Sequence, residues 1–502
     1  MKNTMRNWLA PANGSFFLGL LAATSLTPCA YAQTSDSAST GSIAVPAQVA
    51  DTESTSMDHQ DSTTSTAEAA NGLWTRSTLL GDIGGLRTLL GNHGVTVSLQ
   101  ETSEYLGNVS GGIQRGGAYD GLTELGLVLD TQKAFGLAGG TFNVSALQIH
   151  GTNLTQRNLL ELQNASGIEA DSGTRLWELW YQQSFAHDAF DIRIGQQSLD
   201  QEFLTSANAA YFINATFGWP VLPSIDLPAG GPAYPLSSLG IRARAKVGDA
   251  VTVLAGVVDG DPAGEGTGDP QALNAHGTNF DLGGNGALAI GEVQYAINPP
   301  SGDASDTRST GLPGTYKLGF WYHTGHFVDP RSDNAGMSLA GGAGSDVAPQ
   351  YHGNYSLYAV ADQMIWRPSA DSPQSLSVFA RATGAPGDRN VVDLGINAGI
   401  TLKAPFKQRD NDVAGIAVGY AKISSHAQDV AEGFTSTVPD FPSRTAETVV
   451  EATYACQIVT WWMVQADFQY TFRPSGGIPN PQMPSQRVGN EMVIGLRTVI
   501  TL

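Results

Sequence analysis

The side chains best equipped to grip a ligand in this 502-residue chain are bases, amides and a tryptophan spaced two apart. In RLWELWYQQ a period of two sets Glu178, Trp180 and Gln182 on one face and Trp177, Leu179 and Tyr181 on the other. In DIRIGQQ, Arg193 stands opposite Ile192 and Ile194, and in IRARAKV the basic row Arg242, Arg244 and Lys246 stands opposite Ile241, Ala243 and Ala245. Asp226 in a proline-rich stretch, Arg381 and Arg389 in FARATGAPGDRN, and Arg497 near the C-terminus complete the set. Guanidinium forks, carboxylates and amides donate and accept in fixed directions, and an indole offers an apolar face. Together they suit a small solute rich in hydroxyls. Each charged residue taken alone reads first as a structural charge paired with a neighbouring partner, and only as a group do they point to a binding role.

Bond-making chemistry has weaker support. The chain contains no G-x-S-x-G, no H-E-x-x-H and no G-x-x-x-x-G-K-[ST]. His323 and His326 in WYHTGHF have a spacing that serves a metal on a helix, but this segment reads as a strand end. The acidic stretch DGDPAGEGTGD, residues 259–269, misses the EF-hand spacing and reads as a solvated loop. No cofactor and no metal are expected. With 46 acids against 26 bases and a formal charge of −20, no nucleic-acid partner is expected either.

The first 32 residues read as a secretory signal: Lys2 and Arg6, an apolar run from Phe16 to Leu26, then Ala30-Tyr31-Ala32 before Gln33. Its removal takes two bases and no acids, moving the charge from −20 to −22. Cys29 leaves with it, so Cys456 has no partner for a disulfide. Residues 33–72, rich in Ser, Thr and Ala with no bases, bury too little apolar surface to order themselves and read as a disordered acidic linker.

From residue 73 the texture changes. LLGDIGGLRTLLGNHG suits a short helix, and alternating segments follow. Val95, Val97 and Leu99 share one face of VTVSLQ; Leu125, Leu127 and Leu129 share one face of TELGLVLD. In MVQADFQYTFR, Val464, Ala466, Phe468, Tyr470 and Phe472 oppose Gln465, Asp467, Gln469, Thr471 and Arg473. In EMVIGLRTVITL, Met492, Ile494, Leu496, Ile500 and Leu502 share a side. Such strands separate either a protein core from water or lipid from a wet lumen. The polar faces carry Gln, Asp, Arg and Gly, and the apolar faces carry aromatics at segment ends, which favours lipid outside. After Gln33 there is no apolar run of about eighteen residues, so a membrane protein of this texture must be a closed barrel. A soluble all-β sandwich or β-helix is the competing fold.

GWPVLPSIDLPAGGPAYPLSSLGIR, residues 218–242, places five prolines and four glycines between two strands. Prolines fix φ and remove donors, so such a loop holds a shape without a ladder of its own. It either folds inward to narrow a lumen or caps the outside.

Several blocks in order, among them WELWYQQSF, DIRIGQQSLDQEFLTS, FINATFGWPVLPSIDLPAGGPAYPLSSLGIR, PGTYKLGFWYHTGHFVD, HGNYSLYAVADQMIW, VFARATGAPGDRN and TYACQIVTWWMVQADFQY, resemble the carbohydrate-selective porins of Gram-negative outer membranes, the OprB type. The likeness runs from near Leu79 to the C-terminus. It implies an antiparallel transmembrane β-barrel of about sixteen strands over residues 73–502 that passes monosaccharides, glucose above all, and polyols down a gradient. The polar residues named above then become candidates for the constriction. Barrels of this class commonly end in an aromatic residue; this chain ends in Leu502, a departure from the usual assembly signal. Implied partners are carbohydrate solutes, outer-membrane lipid and lipopolysaccharide, and the barrel assembly machinery, with the chain a monomer or a homotrimer. A ring of Arg and Lys also builds an anion-selective or general diffusion pore. A plugged barrel, or a secreted soluble all-β protein that binds or hydrolyses carbohydrate, are the further alternatives.

Overall fold

A computed structural model describes residues 72–280, 282, 286–299, 311–331, 350–429 and 442–502. The expected signal, and the linker apart from Gly72, lie outside the described residues. Alternation produces long strands from the outset: β1 (Val95–Gly112), β2 (Gly116–Asp130), β3 (Gly140–Gly151), β4 (Gly173–Phe185), β5 (Phe190–Gln197) and β6 (Ser238–Val247). There follow β7 (Val251–Asp259), β8 (Ala287–Ile297), β9 (Gly314–Val328), β10 (Gln350–Trp366), β11 (Ser375–Gly384) and β12 (Val392–Lys403). The chain ends with β13 (Val413–Ile423), β14 (Ala446–Val459), β15 (Trp462–Phe472), a small hairpin β16 (Pro479–Asn480) and β17 (Met483–Arg487), and β18 (Gly489–Thr501).

Sixteen of these, β1 to β15 and β18, close into one antiparallel barrel in which each strand pairs with its sequence neighbours. β18 pairs with β15 on one side and β1 on the other, from Gln100 opposite Thr501 to Gly112 opposite Gly489. Closure leaves no unpaired strand edge, as lipid requires. No helix among the described residues is long and apolar enough to cross a membrane.

The two faces carry the expected chemistry. Leu318, Phe320, Leu357 and Leu496 are more than half exposed on the outside, where lipid covers them, while Gln465, Asp467, Gln469 and Thr471 are buried inside. Leu125, Leu127, Phe468, Phe472 and Ile494 also face outward.

At the end with the short turns 186–189, 248–250 and 460–461, a seven-residue helix, Leu86–Asn92, sits against the seam. Arg87 donates to the carbonyls of Leu502 and of Val97, Leu79 N–H donates to Thr501 O at 2.8 Å, and Trp461 Nε1 donates to Leu73 O at 2.8 Å. The segment thus clamps the β1–β18 junction. The long connections 152–172 and 198–237 leave at the other end, the extracellular one in barrels of this kind.

Candidate functional site

Both long connections turn back into the barrel. The proline-rich stretch is therefore an inward fold and not an outer cap. Trp219, Val221, Leu222, Ile225, Leu227 and Ala233 from it join a buried cluster with Leu254, Val258, Leu288, Ile290, Trp321 and Val360 of the barrel wall. Leu154, Leu159, Ala165 and Ile213 form another with Leu106, Ala118 and Val493. Wall glycines make room: a Cβ on Gly415 would stand 2.7 Å from Cζ of Phe212, and one on Gly419 would stand 2.8 Å from Cγ2 of Thr216.

Inward carboxylates of the wall hold the loops by their main-chain amides. Glu447 accepts from Leu162 and Gln163, both at 2.8 Å, and Glu451 from Ile213 and Asn214 at 2.6 and 2.9 Å. Glu292 accepts from Leu204 at 2.9 Å, and Asp362 from Asn208 at 3.1 Å. Each carboxyl gives a buried main-chain amide the acceptor it would otherwise lack, so each is an anchor for a segment with few ladder bonds of its own. Inside the loops, Glu169 accepts from Leu154 and Thr155 at 3.0 and 3.1 Å, and burial pushes its carboxyl up to about 7. Burial, with Glu447 next to it, drives Glu161 well above the ordinary range.

Several sequence-level candidates belong to this scaffold. Arg381 donates to the carbonyls of Leu204, Gly218 and Thr216 at 2.8, 2.7 and 2.6 Å. Arg497 pairs with Glu104 at 2.9 Å and donates to Ser166 at 3.2 Å. Asp226 accepts from Val391 and Val392 at 2.7 and 3.3 Å, and burial raises its carboxyl well above the usual aspartate range. Glu178 accepts from Ser198 N–H and from Trp180 Nε1 at 3.0 and 3.1 Å. Arg389 stands apart in the connection after β11, bonded to Asp388 and Gly353 and lying 4.4 Å over the Tyr351 ring.

The remaining candidates converge on β4, β5 and β6. Gln182, Arg193 and Arg242 stand in register across the three strands, as do Ser184, Asp191 and Arg244. Gln182 Oε1 accepts from Nε and Nη2 of Arg193 at 3.2 and 3.1 Å and from Arg242 Nη2 at 3.0 Å. Arg193 also lies 3.9 Å over the Trp180 ring, which fixes its plane. Asp191 bridges Arg242 and Arg244, the latter at 2.6 Å. Glu202, from the inserted loop, completes the group at 2.6 Å from Arg242 and 3.3 Å from Arg193. Burial pushes the Glu202 carboxyl up, but Arg193, Arg242 and Arg244 more than offset this and hold it below the usual glutamate range. Gln182, Glu202, Arg244 and Lys246 keep partial exposure to the lumen, whereas Arg242 has almost none.

One expectation is corrected. Trp177 points inward, nearly buried and edge-on to Tyr234 at 6.4 Å, because β4 carries a bulge. Trp177 and Glu178 together oppose Ser145 alone, so both side chains lie on the same face. Sequence reasoning also passed over Asp191, Glu202 and the anchors Glu292, Asp362, Glu447 and Glu451. The wall acids sit on polar strand faces, a signal open to inspection; Glu202 lies in a loop whose path no periodicity records.

What the arrangement can do is hold polar groups by donors and acceptors in fixed directions. Its guanidinium planes are fixed by acids and an indole, and its exposed edge offers donors from Arg244 beside acceptors from Gln182 and Glu202. Residues 114–502 match the family model described as carbohydrate-selective porin, OprB family. Porin B of Pseudomonas aeruginosa is 25% identical over 441 residues, covering 84% of this chain and 90% of that protein. The high-pH structure of Pseudomonas putida OprB shares the fold with a TM-score of 0.74 at 23% identity, over 86% of this chain and 100% of that one. The low-pH structure of the same protein gives 0.51 at 18%, over 86% and 99%. With a closed barrel, inward-folded loops and a family match over most of its length, this chain belongs to the carbohydrate-selective OprB porins of the Gram-negative outer membrane.

Proposed function

We propose that the protein passes monosaccharides such as glucose, and small polyols, passively into the periplasm through the passage beside β4, β5 and β6. The observation that carries this is the in-register row of Gln182, Arg193 and Arg242, with Arg244 beside it and Glu202 reaching in from the opposing loop. A sugar hydroxyl both donates and accepts, so it exchanges water for Arg244 donors and Gln182 or Glu202 acceptors with little net cost. No energy source is needed for such a pore. Residues 1–32 direct export and are removed, and the barrel assembly machinery inserts the chain as a monomer or homotrimer.

Flux of glucose, a disaccharide and a charged solute of similar size into liposomes containing the purified protein tests the reading. Fast glucose entry with slower entry of the other two supports it; a folded, inserted protein without glucose flux overturns it. A second reading has its own observation: Arg193, Arg242, Arg244 and Lys246 outnumber Asp191 and Glu202, the arrangement of an anion pore. A reversal potential near that of pure anion transport in a salt gradient would favour it.

A further inference from the structure

The two histidines of WYHTGHF part company on β9. His323 is buried on the inner face, its Nδ1 accepting from Gly325 N–H at 2.9 Å, which leaves Nε2 to donate to Gly260 O at 3.1 Å. His326 lies on the outer face and is exposed. There it meets His352, its direct cross-strand partner on β10. The two ring centres are 5.0 Å apart and the planes are at 90°.

Depth along the outer wall locates the pair. Leu318 and Phe320 on β9 and Leu357 on β10 are exposed to hydrocarbon, and the cross-strand tyrosines Tyr322 and Tyr355 come next, as an interfacial girdle. His326 stands four residues beyond Tyr322, about 13 Å further along the strand. Between these pairs Thr324 and Gly325 of β9 oppose Gly353 of β10 alone, and with Gly353 at φ +81° His352 lies on the same outward face as Tyr355 although three residues separate them. Both imidazoles therefore project into the headgroup layer at the extracellular rim.

We propose that His326 and His352 form a two-imidazole site for a divalent transition-metal ion, zinc or copper(II), at the outer-leaflet headgroups. With metal–nitrogen bonds of about 2.0–2.1 Å, two imidazoles on one tetrahedral ion have ring centres about 5 Å apart, the separation seen here. Adjacent strands fix that separation, so the ligands are set before the ion arrives. Water or an oxygen of an anionic headgroup fills the open positions. The bound ion gives this rim a positive charge facing anionic lipid.

The test uses the tag-free full chain in detergent, titrated with zinc chloride by calorimetry and with copper(II) by electron paramagnetic resonance. One ion per chain is expected, with coupling to two imidazole nitrogens in the copper spectrum. His326→Ala and His352→Ala should each weaken zinc binding at least about tenfold by removing one point of a two-point attachment, with one nitrogen left in the spectrum. His187→Ala, in a turn at the opposite end, should leave it unchanged. Zinc binding of unchanged affinity in either variant overturns the site, as does a wild-type protein that binds no ion. Folding of each variant is read from its heat-modifiable mobility. Should a variant fail to fold, a wild-type copper spectrum with two nitrogens supports the site and one with a single nitrogen overturns it.

Discussion

Arg381 illustrates how a residue chosen for recognition turns out to do something else. Its guanidinium feeds three loop carbonyls that have no strand ladder, so Arg381→Met strands acceptors at about 1–3 kcal/mol each. The variant should keep its barrel and lose its narrowing, seen as higher single-channel conductance and faster disaccharide flux. Arg244 is the contrasting case, part-exposed and held on one side by Asp191. Arg244→Gln should slow glucose flux several-fold while the folded fraction is unchanged; equal flux would remove it from the passage. Glu169 gives a pH dependence. Its carboxyl in the seated loop is raised to about 7, so its contribution to seating is complete below the ordinary glutamate range and is lost as pH rises through about 7. Amide exchange in residues 152–172, corrected for intrinsic rates, should therefore quicken from about pH 4.5 to about pH 7 and level off above it, and Glu169→Gln should flatten the change. A period of two was enough to set Glu178, Trp180, Gln182, Arg193, Arg242 and Arg244 on inward faces. It could not name the partners of Arg242, because Asp191 and Glu202 lie 51 and 40 positions away.

Strands were more legible than the segments between them. β15 alternates cleanly because its inner face meets polar groups and its outer face meets lipid. β7 and β8 do not, since Leu254, Val258, Leu288 and Ile290 point inward against the inserted loop and leave apolar residues on both faces. The bulge in β4 had no sequence signal at all, as Trp177 and Glu178 suit either face of a regular strand. The proline-rich connection announced a fixed shape but not its direction; that was decided by apolar wall residues far along the chain. Gly415 tests the fit between loop and wall. In Gly415→Leu the new side chain meets the Phe212 ring, and overpacking of this kind costs about 1–3 kcal/mol. The loop should lift from β13, raising conductance, with the melting behaviour of the barrel little altered.

At the scale of the molecule, alternation predicted a closed wall, but its strand number came only through family likeness, because long connections hide the count. The seam between first and last strands is clasped by residues 72–94, and Arg87 is its most concentrated contact. Arg87→Ala should lower the temperature at which the folded band disappears in detergent gels, leaving conductance unchanged. Seating of the inner loops follows an order imposed by the wall. Glu447, which holds Leu162, comes 285 positions after it, and Arg497, which touches Ser166, comes 331 positions after. The narrowing thus depends on strands far along the chain. A chain cut short of β14 and β18 would lack these holds on the first loop as well as its own closure, so the filter is no more separable from the cylinder than a keystone from its arch.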